Sequence, residues 1–355
     1  MAYTAINDPQ KHFNTAIYTG NYESGGSIHK TQPIVGVGFQ PDFIWIKNRD
    51  TTNDHEAYDS SRGITKLWVV NSGSVEATVS TRITSFDSDG VTVKSDPSVN
   101  QADKAHVAWL WKANGGTTAA NTDGSVDTTV QVNTTAGFSM VQFASGASGQ
   151  RTYGHGLGVA PTFIILVDLT QAESRVVYHS GMAASDQWDK YMLLENTNAV
   201  ATSADGWGTA VPSSTVFGLN VATLIEASQT FIAYCFAPIQ GYSKFGSYVG
   251  NGNADGPFVY TGFKPALLIY KRSSAAGNDW VMVDNKRDPG NPTDRELYAN
   301  GTYAEGDVDL LDFLSNGFKL RRTHASQNDD GSTYVYAAFA ESPFVTSNGS
   351  PTNSR

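Results

Sequence analysis

The chain alternates short apolar runs with polar, glycine-rich intervals, and one kind of apolar run carries the same introduction three times. Gly38-Phe39-Gln40-Pro41 leads into Phe43-Ile44-Trp45-Ile46, Gly158-Val159-Ala160-Pro161 into Phe163-Ile164-Ile165-Leu166-Val167, and Gly262-Phe263-Lys264-Pro265 into Leu267-Leu268-Ile269-Tyr270. Proline has no amide hydrogen and a fixed φ, so it suits the first position of a strand and not its middle. Pro41, Pro161 and Pro265 are each expected to open a strand.

The surroundings repeat too. Strand candidates at 13–18, 138–143 and 244–248 precede the three motifs, and runs at 55–60, 175–180 and 279–284 follow with the two-residue alternation of half-buried strands. A third strand ends on Asn71, Asn196 and Asn300, which lie 30, 35 and 35 residues beyond the respective prolines. Asp89-Gly90 and Asn316-Gly317 mark hairpin turns, because glycine tolerates positive φ. Each unit closes on an apolar strand, at 107–111, 232–236 and 335–339, whose last aromatics Trp111, Phe236 and Phe339 lie 70, 75 and 74 residues beyond the prolines. These closing runs are apolar at every position, which predicts central strands covered on both faces.

No convincing helical stripe appears, so the expected fold is all-β, with three tandem β-sandwich or jelly-roll-like repeat modules. The expected boundaries are 1–112 for the first module, 113–137 for a Gly/Thr/Asn-rich linker, 138–240 for the second module, 241–344 for the third and 345–355 for a polar tail. Within the linker, 128–132 is expected to be extended. Only Pro238-Ile239-Gln240-Gly241-Tyr242 joins the last two modules, so they are expected to pack on each other.

Composition narrows the partners. Charged residues make up 16% of the chain, and the net charge of −10 gives the wrong sign for steering toward a phosphate backbone or an anionic lipid surface. Neither nucleic-acid binding nor membrane insertion is expected, since no apolar run approaches the roughly 20 residues of a membrane-spanning helix. The first residues show neither a basic region nor an apolar core of a signal peptide, which places synthesis and first folding in a cytosol. The single cysteine, Cys235, excludes internal disulfides and reads as a small buried hydrophobe.

Motifs that carry chemistry are sparse. The seven histidines, His12, His29, His55, His106, His155, His179 and His324, show no metal-site spacing, and no metal or cofactor is expected. The Asp87-x-Asp89-Gly90 turn has the donors for calcium, yet Asp-Gly turns are far more often only turns. Gly154-His155-Gly156-Leu157-Gly158 has the wrong spacing for a phosphate loop and leads into a strand. Asp307 with Asp309, or Asp329 with Asp330, could supply the two carboxylates of glycoside hydrolysis, but surface acids are the commoner explanation. Trp188, Trp207, Tyr153 and Tyr303 fall in or near loops and are the candidates for stacking on a sugar, while Trp280 reads as core.

Longer stretches carry a resemblance. Lys112-Ala113-Asn114-Gly115-Gly116 through Asn133-Thr134-Thr135-Ala136-Gly137-Phe138-Ser139, Gly154 to Pro161, Lys244-Phe245-Gly246-Ser247-Tyr248-Val249-Gly250-Asn251-Gly252, Asp255-Gly256-Pro257-Phe258-Val259-Tyr260-Thr261-Gly262-Phe263 and Ala338-Phe339-Ala340-Glu341-Ser342-Pro343-Phe344 are similar to sequences of tailed-bacteriophage virion structural proteins. These are common in phages of marine bacteria and cyanobacteria, and are usually labelled tail fibre protein or domain of unknown function. The resemblance covers almost the whole chain and brings no catalytic residues with it. It implies a non-enzymatic virion protein, assembled in the host cytoplasm as an oligomer with other virion proteins. A tail fibre or appendage that adheres to a host glycan or protein is the leading expectation, and a capsid decoration protein the next. A polysaccharide depolymerase or a lectin-like module is the lesser alternative. No heptad stalk is evident, which speaks against a long shaft.

Overall fold

A computed structural model describes residues 4–23 and 30–352. His29 and the last three residues of the polar tail lie outside them. The protein is all-β. In the first third of the chain the strands are β1 (Phe13–Thr19), β2 (Gln32–Ile34), β3 (Phe43–Asn48), β4 (Glu56–Asp59), β5 (Lys66–Val69), β6 (Ala77–Thr78), β7 (Ile83–Asp87), β8 (Gly90–Val93) and β9 (Ala105–Trp111). They form a main sheet of order β1-β9-β3-β4-β5-β6 and a companion sheet β2-β8-β7.

The middle third contributes β10 (Ala119–Asn121), β11 (Thr128–Asn133), β12 (Phe138–Ala144), β13 (Gly149–Gly154), β14 (Phe163–Asp168), β15 (Val176–His179), β16 (Lys190–Leu193), β17 (Ala201–Thr202), β18 (Val216–Val221) and β19 (Thr230–Phe236). Its main sheet runs β10-β11-β12-β19-β14-β15-β16-β17, beside the pair β13-β18. The Gly/Thr/Asn-rich stretch 113–137 thus supplies β10 and β11 to this sheet, with β11 antiparallel to β12.

The last third holds β20 (Ser243–Val249), β21 (Phe258–Tyr260), β22 (Phe263–Arg272), β23 (Val281–Asp284), β24 (Thr293–Tyr298), β25 (Gly306–Leu314), β26 (Gly317–Leu320) and β27 (Thr333–Pro343). Here main and companion strands are continuous, in the order β20-β27-β22-β23-β24-β25-β26-β21. The arrangement of a first strand, the closing strand, the proline-led strand and two more therefore recurs as β1-β9-β3-β4-β5, β12-β19-β14-β15-β16 and β20-β27-β22-β23-β24. Register agrees as well: Phe43, Phe163 and Leu267 pair with Trp111, Phe236 and Phe339.

Alternation along the strands decides where the core sits. In β3, Phe43 and Trp45 face one hydrophobic cluster while Ile44 and Ile46 face another. In β22, Leu267 and Ile269 join the first cluster while Leu268 and Tyr270 join a third. The shared cluster draws from all three main sheets, so their inner faces pack against each other and their outer faces are covered by companion strands. That double cover explains why the closing strands are apolar throughout. At the centre the rings of Trp111, Phe236 and Phe339 meet, with centroids 6.3, 5.5 and 5.6 Å apart.

Candidate functional site

Several buried charged and polar groups lie where one main sheet meets the next. Asp59, at the end of β4, accepts from the Arg62 amide through Oδ1 at 2.9 Å and from Arg62 Nε through Oδ2 at 2.6 Å. Arg62 also reaches Glu76 at 2.6 Å, and both Arg62 and Asp59 side chains are at most 2% exposed. Tyr234 of β19 donates its hydroxyl to Asp59 Oδ2 at 2.6 Å, and Trp68 Nε1 donates to that hydroxyl at 2.9 Å. Burial opposes the Arg62 charge, but Asp59, Tyr234 and Glu76 outweigh it and hold the guanidinium above its ordinary pKa.

The same device stands at the contact between the last sheet and the first. Arg287 donates to both oxygens of Asp284 and to Glu305, and Trp109 Nε1 of β9 donates to Asp284 Oδ2 at 3.0 Å. Arg49 completes it with a 2.6 Å bond to Glu305. Between the second and third sheets the register-equivalent residue is His179, and its Nε2 lies 2.9 Å from the Tyr336 carbonyl while Nδ1 accepts from the Gly181 amide. Those two contacts fix the tautomer with the proton on Nε2. Burial lowers the His179 pKa to about 4, with the Tyr336 carbonyl opposing.

A second ring of contacts lies on the same strands. Arg175 donates to the carbonyls of Val69 and Ser74, and Trp280 Nε1 donates to the Leu193 carbonyl at 2.9 Å. His55 accepts from Trp45 Nε1 at 2.9 Å, and the Tyr298 carbonyl lies against its ring without meeting hydrogen-bond geometry. First sheet to second, second to third and third to first, each contact runs head to tail, so the three sheets close a ring.

The asparagine markers are local braces. Asn71 accepts from the His55 amide and donates to Asp54, and Asn300 does the same for the Trp280 amide and Asp279. Asn196 instead accepts from the Asn198 amide, and Glu195 takes the Arg175 amide in its place. The glycine markers Gly38, Gly158 and Gly262 all have positive φ, between 74° and 87°. Pro41 and Pro161 precede β3 and β14, while Pro265 lies inside β22 at a register shift.

The candidate aromatics do not come together. Tyr153 and Trp207 are fully buried, Tyr153 donating its hydroxyl to the Ser145 carbonyl and stacking on Phe217, so neither ring can meet a ligand. Trp188 is half-buried against the shared core, and Tyr303 alone of the four is exposed. The aromatic surface that sequence reasoning missed is on β21. Phe258 and Tyr260 alternate with buried Val259 and are 45% and 53% exposed. Lys244 Nζ stands 5.3 Å above the Tyr260 ring and donates to the Tyr260 carbonyl at 2.7 Å. Beside them is a depression of about 590 Å³ lined by Gln240, Ser243, Thr261 and Phe344 among others. The Phe-Val-Tyr alternation was the available signal.

The remaining candidates have local work. Asp89 accepts from the Gly36 and Gly38 amides and Asp87 from Thr92, so that turn is closed by its own donors. Asp307 pairs with Arg295 and Asp329 with Arg272. Cys235 is buried, and burial raises its thiol pKa. Among the described residues no three metal-ligating side chains cluster.

A family model described as a domain of unknown function, DUF7483, matches residues 8–343. The chain belongs to the DUF7483 family. The match spans all three main sheets, so in this chain the DUF7483 domain is the whole ring and not one of its sheets. No curated protein and no solved structure matches it.

Proposed function

We propose that this protein is a non-enzymatic structural protein of a tailed-phage virion, associated with the tail as a fibre or appendage component and assembled with other virion proteins in the host cytoplasm. The observation that carries the reading is how the buried ionisable groups are used. Asp59, Asp284 and His179 bond across sheet junctions, with Arg62 and Arg287 holding the two aspartates, and the five do not converge on a cavity. Perturbed groups at an active site would instead face a cleft. The resemblance of stretches within 112–139, and of 154–161, 244–252, 255–263 and 338–344, to virion structural proteins supplies the setting. A rigid β scaffold with variable loops suits contact with a host surface, and the exposed Phe258 and Tyr260 offer aromatic area for it.

Mass spectrometry of purified particles tests the assignment: the protein is expected among virion components, and its absence overturns the reading. Antibody labelling separates the locations, with signal at the tail supporting this reading and signal spread over the head favouring a capsid decoration protein. That second reading is favoured by one feature, the closure of three sheets around a common aromatic centre into a compact body.

A further inference from the structure

β20 and β21 are the two edges of the third sheet, and Lys244 of β20 reaches across to β21. Its Nζ donates to the Tyr260 carbonyl at 2.7 Å and stands 5.3 Å from the centre of the Tyr260 ring, which is 53% exposed. The depression of about 590 Å³ lies where these edges approach. Ser243 and Lys244 line it from β20, Tyr260 from β21, and Phe344 and Val345 from the segment after β27. Its volume falls in the range of about 300–1,000 Å³ common to small-molecule sites.

An ammonium has three N–H donors, and only one of them is used here, so the others have no acceptor among the described residues. Lys264 and Lys319 of the same sheet pair with Glu341 and Asp255 at 2.7 and 2.8 Å, whereas Lys244 has no ion pair among the described residues. Burial lowers its pKa, and no carboxylate counters the shift. Among the described residues no acidic side chain lines the depression. In a chain of net charge −10, an unpaired cation in an acid-free hollow selects an anion. The rest of the lining says what else the anion carries. Pro238, Phe344 and Val345 form an apolar wall suited to the C–H face of a sugar ring. Gln240 is exposed and bonds through its main-chain carbonyl, so its side-chain amide has no partner among the described residues. One cation matches one carboxylate, and a polyanion would meet the repulsion of the whole chain.

We propose that this depression binds an acidic saccharide, with its carboxylate accepting from Lys244 Nζ, a ring face on the apolar wall and hydroxyls bonded to the Gln240 amide. The choice of a saccharide rests on the host-contact reading above, and the carboxylate contact does not. Calorimetric titration of the full chain with methyl glucuronide and with sialyllactose tests it. Methyl glucoside and lactose are the uncharged counterparts, and benzoate is the carboxylate without a sugar. Saturable binding of an acidic sugar is expected, about tenfold or more tighter than its uncharged counterpart and than benzoate. Lys244→Met keeps the apolar stem and removes the charge, and should weaken binding by about tenfold or more. Gln240→Glu places a negative charge at an exposed position of the same lining, should also weaken binding, and serves where Lys244→Met does not fold. Failure of both acidic sugars to saturate, equal binding of the uncharged counterparts or of benzoate, or full affinity in a folded Lys244→Met variant overturns the proposal. So does full affinity in Gln240→Glu if that is the only folded variant. Absence of the protein from purified particles removes the virion reading and leaves a measured saccharide site standing, so the two fail separately.

Discussion

At the scale of single residues, the strongest determinants are the buried ions at the junctions. Arg62 is shared by Asp59 and Glu76 with almost no exposure, so removing it leaves the buried Asp59 carboxylate without its cation, while Glu76 keeps Lys66. Arg62→Met should destabilise the protein by about 3–5 kcal/mol, read from urea unfolding. The exposed pair Lys11–Asp8 is the internal comparison, and Lys11→Met should change stability by about 0–1 kcal/mol. His179 makes a second prediction, with a definite sign. Its pKa is lowered to about 4 in the fold against 6.5 for a free histidine, so on acidification the unfolded chain takes up the proton first. Stability should therefore fall as pH drops from about 6.5 to about 4, and burial lowers His55, His106 and His155 in the same direction. Unfolding free energies measured across that window check it, and His179→Gln should flatten the slope. A stability that rises on acidification would contradict the assignment. None of these roles was legible in the sequence, because Asp59 and His179 occupy equivalent positions with unlike chemistry.

At the scale of elements, legibility was high. The first strands, the proline-led strands and the closing strands begin and end within a few residues of where apolar periodicity places them, and β9, β19 and β27 are central as their unbroken apolar character requires. The leading glycines explain themselves in the same terms. Gly158 has φ +74° with nothing within 4 Å of a added Cβ, so its constraint is conformational and not steric. Gly158→Ala should cost about 1–2 kcal/mol of stability by chemical denaturation, and Gly158→Asn less, since asparagine tolerates the left-handed region. The aromatic candidates read less well. Loops place a ring near the surface on average, but Trp207 is buried against Tyr178, and Tyr153 lies not in a loop but in β13, where it is buried against Phe143. Phe258 and Tyr260 are exposed because they share the face of β21 opposite the buried Val259.

For the whole molecule, the shared cluster makes the three sheets one cooperative body. Phe339→Ala removes a ring that touches Phe13, Trp111, Phe236, Tyr242 and Phe245, and should cost about 3–5 kcal/mol. Tryptophan fluorescence reports on all three sheets through Trp45, Trp109, Trp207 and Trp280, so its unfolding curve should coincide with that from far-ultraviolet circular dichroism. Two separated transitions would show that the sheets unfold independently. The sequence alone determined the first, proline-led and closing strands of each unit, the central place of the closing strands and the positive-φ glycines, because these depend on local φ preference and on the period with which side chains meet a face. Only the tertiary structure decided that the sheets close into a ring and which side chains bond across each junction. Those features depend on which surfaces meet across long stretches of chain, and the three junctions use an aspartate with a tyrosine, a histidine with a carbonyl and an aspartate with a tryptophan, so no common residue pattern announces them.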